Sequence, residues 1–188
     1  MVSPASVVDA KRAAALFAAS FDDHLNTVSG IRYRFESARP EDRMQYWRAE
    51  REGDLVGWAY GGLDAFAPVR TASFAGIVVH PSHRREGIGP ALWDVVSAHL
   101  EEIGTRRIVA YSRADEDTIA FARARGFNLE ATDTSSVVDP RTIGQPPPPP
   151  QGIELRSMRN FVDDPEPVFA ADRSSADRPQ SSYRSPRD

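Results

Sequence analysis

The sequence predicts an α/β domain built on a mixed sheet with flanking helices, and three observations lead there. Residues 44–61 read as two strands joined by a tight turn. From residue 70 to residue 125, strand-like and helix-like apolar periods alternate. A proline-rich stretch beginning near residue 139 then ends the regular pattern.

Each element follows from its residues. Ser6-Val7-Val8-Asp9 has capping-box spacing, with Asp in place of Glu. Ala13, Leu16, Phe17, Ser20 and Phe21 follow close to one helical stripe. Residues 44–50 and 54–61 form an expected hairpin with Gly53 at its turn. Residues 70–79 end in a continuous apolar run, the mark of a central strand. From Pro90 to Ile103, the residues Leu92, Val96, Leu100 and Ile103 share one helical face. Residues 106–111 read as a short strand. Asp115 to Arg125 reads as a helix stopped by Gly126, a residue suited to a left-handed C′ position. Residues 127–138 are expected to supply one or two final strands.

Bulk properties narrow the function classes. The 188 residues support one well-buried domain, and 40% of them are apolar. No run of 18 apolar residues occurs, so no membrane span is expected. The first 20 residues lack a basic segment followed by a long apolar one, so a cytoplasmic location is expected. Zero cysteines exclude a disulfide framework and a thiolate nucleophile, and the four histidines have no metal-ligand spacing. No metal is therefore expected. A net charge of -4 argues against nucleic acid as a partner. Lys11 is the sole lysine among 23 basic residues.

Proline divides the chain. Pro146 to Pro150 are consecutive, which favours a polyproline II rod. Residues 1–138 then form the domain and 139–151 a linker, or alternatively a long surface loop. In 152–188, Ile153 to Met158 alternates like a strand, Asp163-Asp164-Pro165-Glu166 suits a helix start, and the polar residues from Ser174 onward read as disordered.

Ile77-Val78-Val79-His80-Pro81-Ser82-His83-Arg84-Arg85-Glu86-Gly87-Ile88-Gly89-Pro90 carries the chemistry. A buried strand runs into a basic loop with two glycines and then into an amphipathic helix. The free amides and dipole at the helix start favour an anion. Gly87 and Gly89 remove side chains that would hold a phosphate away from the backbone, and they permit unusual φ values. Successive amides in such a turn form an anion-binding nest, beside which Arg84 and Arg85 add positive charge. Together these pieces describe a pyrophosphate cradle. No Gly-Lys-Ser/Thr follows, which excludes a Walker loop, and the dinucleotide fingerprint lacks its glycines.

The stretch resembles the signature of the GNAT acetyltransferases: a strand ending in Val79, then Pro81, then Arg84-x-x-Gly87-x-Gly89 opening a helix. Residues 50–62 resemble the family's second and third strands, and 118–127 its later helix and Gly-Phe strand start. The family's first strand is poorly represented. The resemblance implies a GNAT fold, with a mostly antiparallel central sheet whose fourth and fifth strands splay apart. It implies acetyl-CoA as acyl donor, with its pantetheine on the backbone of Ile77, Val78 and Val79. The pyrophosphate falls on the amides of Arg84, Arg85, Glu86, Gly87, Ile88 and Gly89. The tail resembles the opening of another GNAT domain, which suggests a truncated tandem arrangement ending in a stub.

Direct attack of an amine on the acetyl thioester needs a base, a donor to the thioester oxygen and an acid for the leaving thiolate. The family's helix tyrosine corresponds to Ala122 here. Tyr111 and Ser112 are substitute acids, or simply an ordinary strand end. Glu50 is a candidate base, with Glu52 and Asp64 nearby in sequence. His80 and His83 flank the phosphate loop, while His24 and His99 decorate helices. Trp47, Trp58 and Trp93 are expected to pack. Three readings follow: an N-acetyltransferase acting on a small-molecule amine or a protein amino group, a non-catalytic acyl-CoA-binding or regulatory module, and a proline-run interaction protein. Oligomeric state is not encoded legibly.

Overall fold

A computed structural model of the protein describes residues 1–22, 25–64, 71–134, 138–139 and 141–176. The chain divides into two compact units, Met1–Ile119 and Ala120–Asp188. The first unit holds a five-stranded sheet in the order β1-β2-β3-β4-β5. Its strands are β1 (Val2–Pro4), β2 (Gln45–Arg51), β3 (Asp54–Leu63), β4 (Ala72–Val79) and β5 (Arg107–Val109). The pairs β1–β2, β2–β3 and β3–β4 are antiparallel, and β5 is parallel to β4. A parallel pair needs a crossover, which α3 (Ile88–Glu102) provides. Helices α1 (Ala10–Ser20) and α2 (Val28–Glu36) lie between β1 and β2, and α4 (Glu116–Arg123) follows β5. The architecture is the mixed, mostly antiparallel one expected.

Local chemistry accounts for these elements. The Asp9 carboxylate accepts from the Ser6 amide at 3.0 Å and so closes the turn leading into α1. In the β2–β3 hairpin, Glu52 and Gly53 both adopt positive φ, 53° and 91°, as a type I′ turn requires. Alternation along β3 then assigns its faces. Gly57 and Gly61 meet α3: a Cβ on Gly57 would lie 2.9 Å from Ile88 Cγ2 and Leu92 Cδ1, and one on Gly61 would lie 3.2 Å from Val96 Cγ1. The missing side chains let α3 close onto the sheet and bury Leu92, Val96 and Leu100, the stripe expected from the sequence. Burying a leucine fully contributes about 1.5–3 kcal/mol. On the opposite face Trp58 packs with Ala13, Leu16 and Phe17 of α1 and Ile31 of α2. Trp47 is buried and Trp93 packs against the α3 core, so the tryptophans serve packing as expected.

Several expectations are corrected. β1 is formed, its three residues pairing with Trp47 to Ala49; so short a segment leaves almost no periodic signal. α2 was not expected, although Thr27 caps it by accepting from the Gly30 amide at 3.0 Å. His99 is not mere decoration: its Nε2 lies 2.8 Å from the Arg43 carbonyl oxygen, and its ring meets Trp47. His24 lies outside the described residues.

In the second unit, the turn that follows α4 carries Gly126 at φ 81°, and the Arg125 guanidinium sits 3.5 Å above the Phe121 ring. Among the described residues of 127–138 no strand forms, and residues 153–157 are irregular, followed by a 3₁₀ turn at Met158–Phe161. An alternating hexamer without an apolar partner has no reason to become a strand. α5 (Glu166–Ala176) begins where the sequence indicated and includes Ser174 to Ala176, which composition had assigned to disorder. The rest of that tail, from residue 177, lies outside the described residues. Among the described residues, no helix is long and apolar enough to cross a membrane.

Candidate functional site

β4 has two unequal edges. On one side it pairs with β3 from Leu63↔Ser73 to Gly57↔Val79. On the other, β5 pairs with Ala72, Ser73 and Phe74 and goes no further. Three hydrogen bonds fix which residues address which side. The His80 amide donates to the Val56 carbonyl at 2.9 Å and the Asp64 amide to the Ala72 carbonyl at 3.0 Å, both across the β3 edge. The Arg106 amide donates to the Thr71 carbonyl at 2.9 Å across the β5 edge. Antiparallel alternation then turns the backbone N–H and C=O of Ala75, Ile77 and Val79 toward the side where β5 has stopped. Val78 addresses β3. Of the three strand residues singled out in the sequence, the geometry therefore brings Ile77 and Val79 to the gap.

The chain leaves β4 through a 3₁₀ turn, Pro81–His83, in which the Ser82 amide lies 3.3 Å from His80 Nδ1. Arg85 and Gly87 follow at φ 67° and 82°. Gly87 caps α3, whose first bond runs from the Ala91 amide to the Gly87 carbonyl at 3.2 Å. The amides of Ile88 and Gly89 precede that bond and have no acceptor inside the helix, while Pro90 has no N–H to offer. Pro90 sits in the first turn, where the fixed proline φ is tolerated. No atom lies within 4 Å of a Cβ built on Gly87, so its backbone angle, not crowding, calls for glycine.

The loop's side chains are tied to their surroundings. Arg84 Nε lies 3.4 Å from the Val79 carbonyl oxygen at the open edge. Arg85 Nη1 lies 3.4 Å from Asp117 Oδ1. Glu86 is bound by Arg51 of β2 and lies 3.4 Å from His83 Nδ1. Asp115 accepts from both the amide and the hydroxyl of Thr118 at 2.9 Å. Those bonds, with a smaller contribution from Arg84, hold its carboxyl below the usual range. Arg51 was missed in the sequence, because its contact with Glu86 spans 35 residues.

The candidate acid and base residues fare unevenly. Glu50 accepts from Arg12 Nη2 at 2.5 Å and lies 3.5 Å from Arg48 Nε. The Arg12 bond keeps its carboxyl ionised to lower pH than usual, which weakens it as a base. Arg48 also reaches the buried Asp9 at 2.7 Å, so Glu50 belongs to a network bracing α1 against β2. Glu52 occupies the hairpin turn. Tyr111 and Ser112 follow β5 and are exposed, and the Tyr111 ring lies 5.8 Å from that of Phe74. Ala122 in α4 offers no hydroxyl.

Comparisons with known proteins converge on one family. Residues 12–127 match the Acetyltransferase (GNAT) family. The chain is 30% identical over 130 residues to a mycothiol acetyltransferase of Salinispora arenicola, an alignment covering 69% of this chain and 40% of that protein. Among solved structures, it resembles aminoglycoside 6'-N-acetyltransferase from Acinetobacter haemolyticus with a TM-score of 0.55 and 18% identity, over 74% of this chain and 99% of that one. It also resembles a Salmonella typhimurium protein solved with its cofactor acetyl-CoA, with a TM-score of 0.59 and 19% identity, over 70% and 80% of the two chains. The protein belongs to the GNAT acetyltransferase family. It spans about two-fifths of the length of the curated relatives it matches.

Proposed function

We propose that the protein is an N-acetyltransferase that moves an acetyl group from acetyl-CoA to an amine, either of a small molecule or of a protein. One observation carries this reading: the open edge of β4 leads directly into a glycine loop whose helix amides lack intrahelical acceptors. The diphosphate would take the Ile88 and Gly89 amides and the turn formed by Arg84 to Gly87, with Arg84 and Arg85 adding charge. The pantetheine would lie along Ile77 and Val79 as an extra strand, bonding the backbone groups that β5 leaves open. Membership in the GNAT family and likeness to a fold solved with acetyl-CoA support the donor.

In the transfer, the amine nitrogen attacks the thioester carbon and the C–S bond breaks. The proton lost by nitrogen offsets the thiolate charge, giving an amide and CoA thiol. An open-edge amide such as that of Val79 would stabilise the developing oxyanion. Residues 1–138 serve as the acyltransferase domain, 139–151 as the linker, and 152–188 as a partial second domain with its tail.

A second reading, a non-catalytic acyl-CoA-binding module, is favoured by Ala122, where the family resemblance calls for a tyrosine. Thiol release from acetyl-CoA across a panel of amines, with calorimetry of CoA binding, separates the two. Turnover supports the enzyme, binding without turnover supports the module, and absence of binding at millimolar CoA defeats both.

A further inference from the structure

β5 is fastened to β4 at one end only, and one of its fastenings is a pair of hydroxyls for which the transfer chemistry has no use. The amides of Arg106 and Arg107 both donate to the Thr71 carbonyl, at 2.9 and 3.4 Å. Beside them the Ser73 and Thr105 hydroxyls lie 2.5 Å apart. Ser73 is 0% exposed. By alternation it shares the face of β4 on which Ala75, Ile77 and Val79 pack into the α3 core. An apolar side chain would fill such a position without burying a hydroxyl, whose desolvation a partner must offset. Thr105 is that partner. A hydroxyl contact is directional where apolar packing is not, so it fixes how the two strands approach.

Thr105 is itself held by α3. Its amide donates to the Leu100 carbonyl at 3.0 Å, across a turn in which Gly104 adopts φ 78°, and Leu100 is 1% exposed in the core. α3 thus joins two parts of the proposed coenzyme site: the loop amides at its start and the origin of β5 after its end. From that origin β5 pairs with Ala72, Ser73 and Phe74 alone. A strand anchored at one end and released after three residues leaves at an angle its anchor sets. The gap beside Ala75, Ile77 and Val79 opens from there.

Resting on the acetyl-CoA reading, we infer that Ser73 and Thr105 are positioning residues. Their bond fixes the line on which β5 leaves β4, and so the width of the gap that receives the pantetheine arm, without touching the coenzyme.

The test uses the full chain, with CoA as the probe in calorimetry and in amide exchange. Thr105→Ser keeps the hydroxyl and should leave the CoA Kd within about twofold of its original value. Thr105→Val keeps the shape but strands the Ser73 hydroxyl; it should lower Tm and raise Kd about fivefold, the worth of one hydrogen bond. Combining Ser73→Ala with Thr105→Val removes both polar groups, so Tm should recover while Kd stays raised. In both variants that lack the Thr105 hydroxyl, saturating CoA should still protect the Ile88 and Gly89 amides, while protection of Ile77 and Val79 falls. A Kd that recovers together with Tm in the double variant makes the pair a stabilising contact only and overturns the inference. So does an unchanged Kd in Thr105→Val, a Thr105→Ser that behaves like it, or equal loss of protection at edge and loop. An unmodified chain without CoA affinity defeats the acetyl-CoA reading, and the positioning role with it, before any variant is compared.

Discussion

Along its β3 side, β4 is bonded from Ser73 to Val79, with the His80 amide continuing the ladder. Along its β5 side, pairing stops at Phe74. The same strand therefore has one edge paired with β3 along its length and another that β5 leaves unpaired beyond Phe74. Both faces beside the open edge are apolar: Val78 joins the core under α1 and α2, and Ile77 and Val79 join the core under α3. Stability comes from these apolar faces, whereas the proposed binding role rests on the backbone of the open edge and the loop that follows it. Substitutions that act on the faces should change melting, whereas those that act on the loop should change CoA affinity.

The largest expected effect is on the faces. Leu92→Ala leaves a cavity against Gly57 and should cost about 2–5 kcal/mol in denaturant unfolding, with CoA affinity retained at temperatures where the variant is folded. Gly87→Ala is the counterpart at the loop. Forcing a Cβ to φ 82° costs roughly 1–2 kcal/mol and should lower CoA affinity about tenfold in calorimetry, while every core contact remains. Equal losses of affinity in both variants would dissolve the distinction between faces and edge.

Smaller effects sharpen it. Arg51 and Glu86 join the β2–β3 hairpin to the loop, but both are partly exposed, so a double-mutant cycle on stability should give about 0.2–1 kcal/mol of coupling. Glu86→Gln removes a negative charge from the loop proposed to hold the diphosphate and should tighten CoA binding roughly two- to threefold, an advantage that fades as salt rises. The smallest effect concerns alkaline pH. Tyr46 and Tyr60 keep their protons in the fold above the usual tyrosine range, whereas the unfolded chain loses them near pH ~10. Stability should therefore be intact below about pH 10 and fall as pH rises through the folded values. Absorbance titration at alkaline pH should show late-ionising tyrosines that become ordinary on unfolding.

Much of this arrangement was legible in the sequence, for physical reasons that differ by element. Leu92, Val96 and Leu100 announce α3 because a helix on a sheet must bury one stripe. Gly53, Gly87 and Gly126 mark turns because positive φ excludes most side chains. The order Val79, Pro81, Arg84, Gly87, Gly89 identified the loop and family. What escaped reading lies in pairing across distance. β1 has too few residues for a period, and α2 mixes Arg32 and Arg34 among Val28, Ile31 and Phe35. The Arg51–Glu86 and Ser73–Thr105 contacts exist only once the strands align. Which of Ile77, Val78 and Val79 faces the gap is likewise a matter of register: a one-residue slip would reverse the answer.

Amide hydrogen exchange followed by NMR tests that register most directly. In the free protein the Val78 and His80 amides should exchange slowly, while those of Ile77 and Val79 exchange faster; adding CoA should protect Ile77, Val79, Ile88 and Gly89. Protection of Val78 alone, or saturating CoA that leaves all four amides unchanged, would contradict the account.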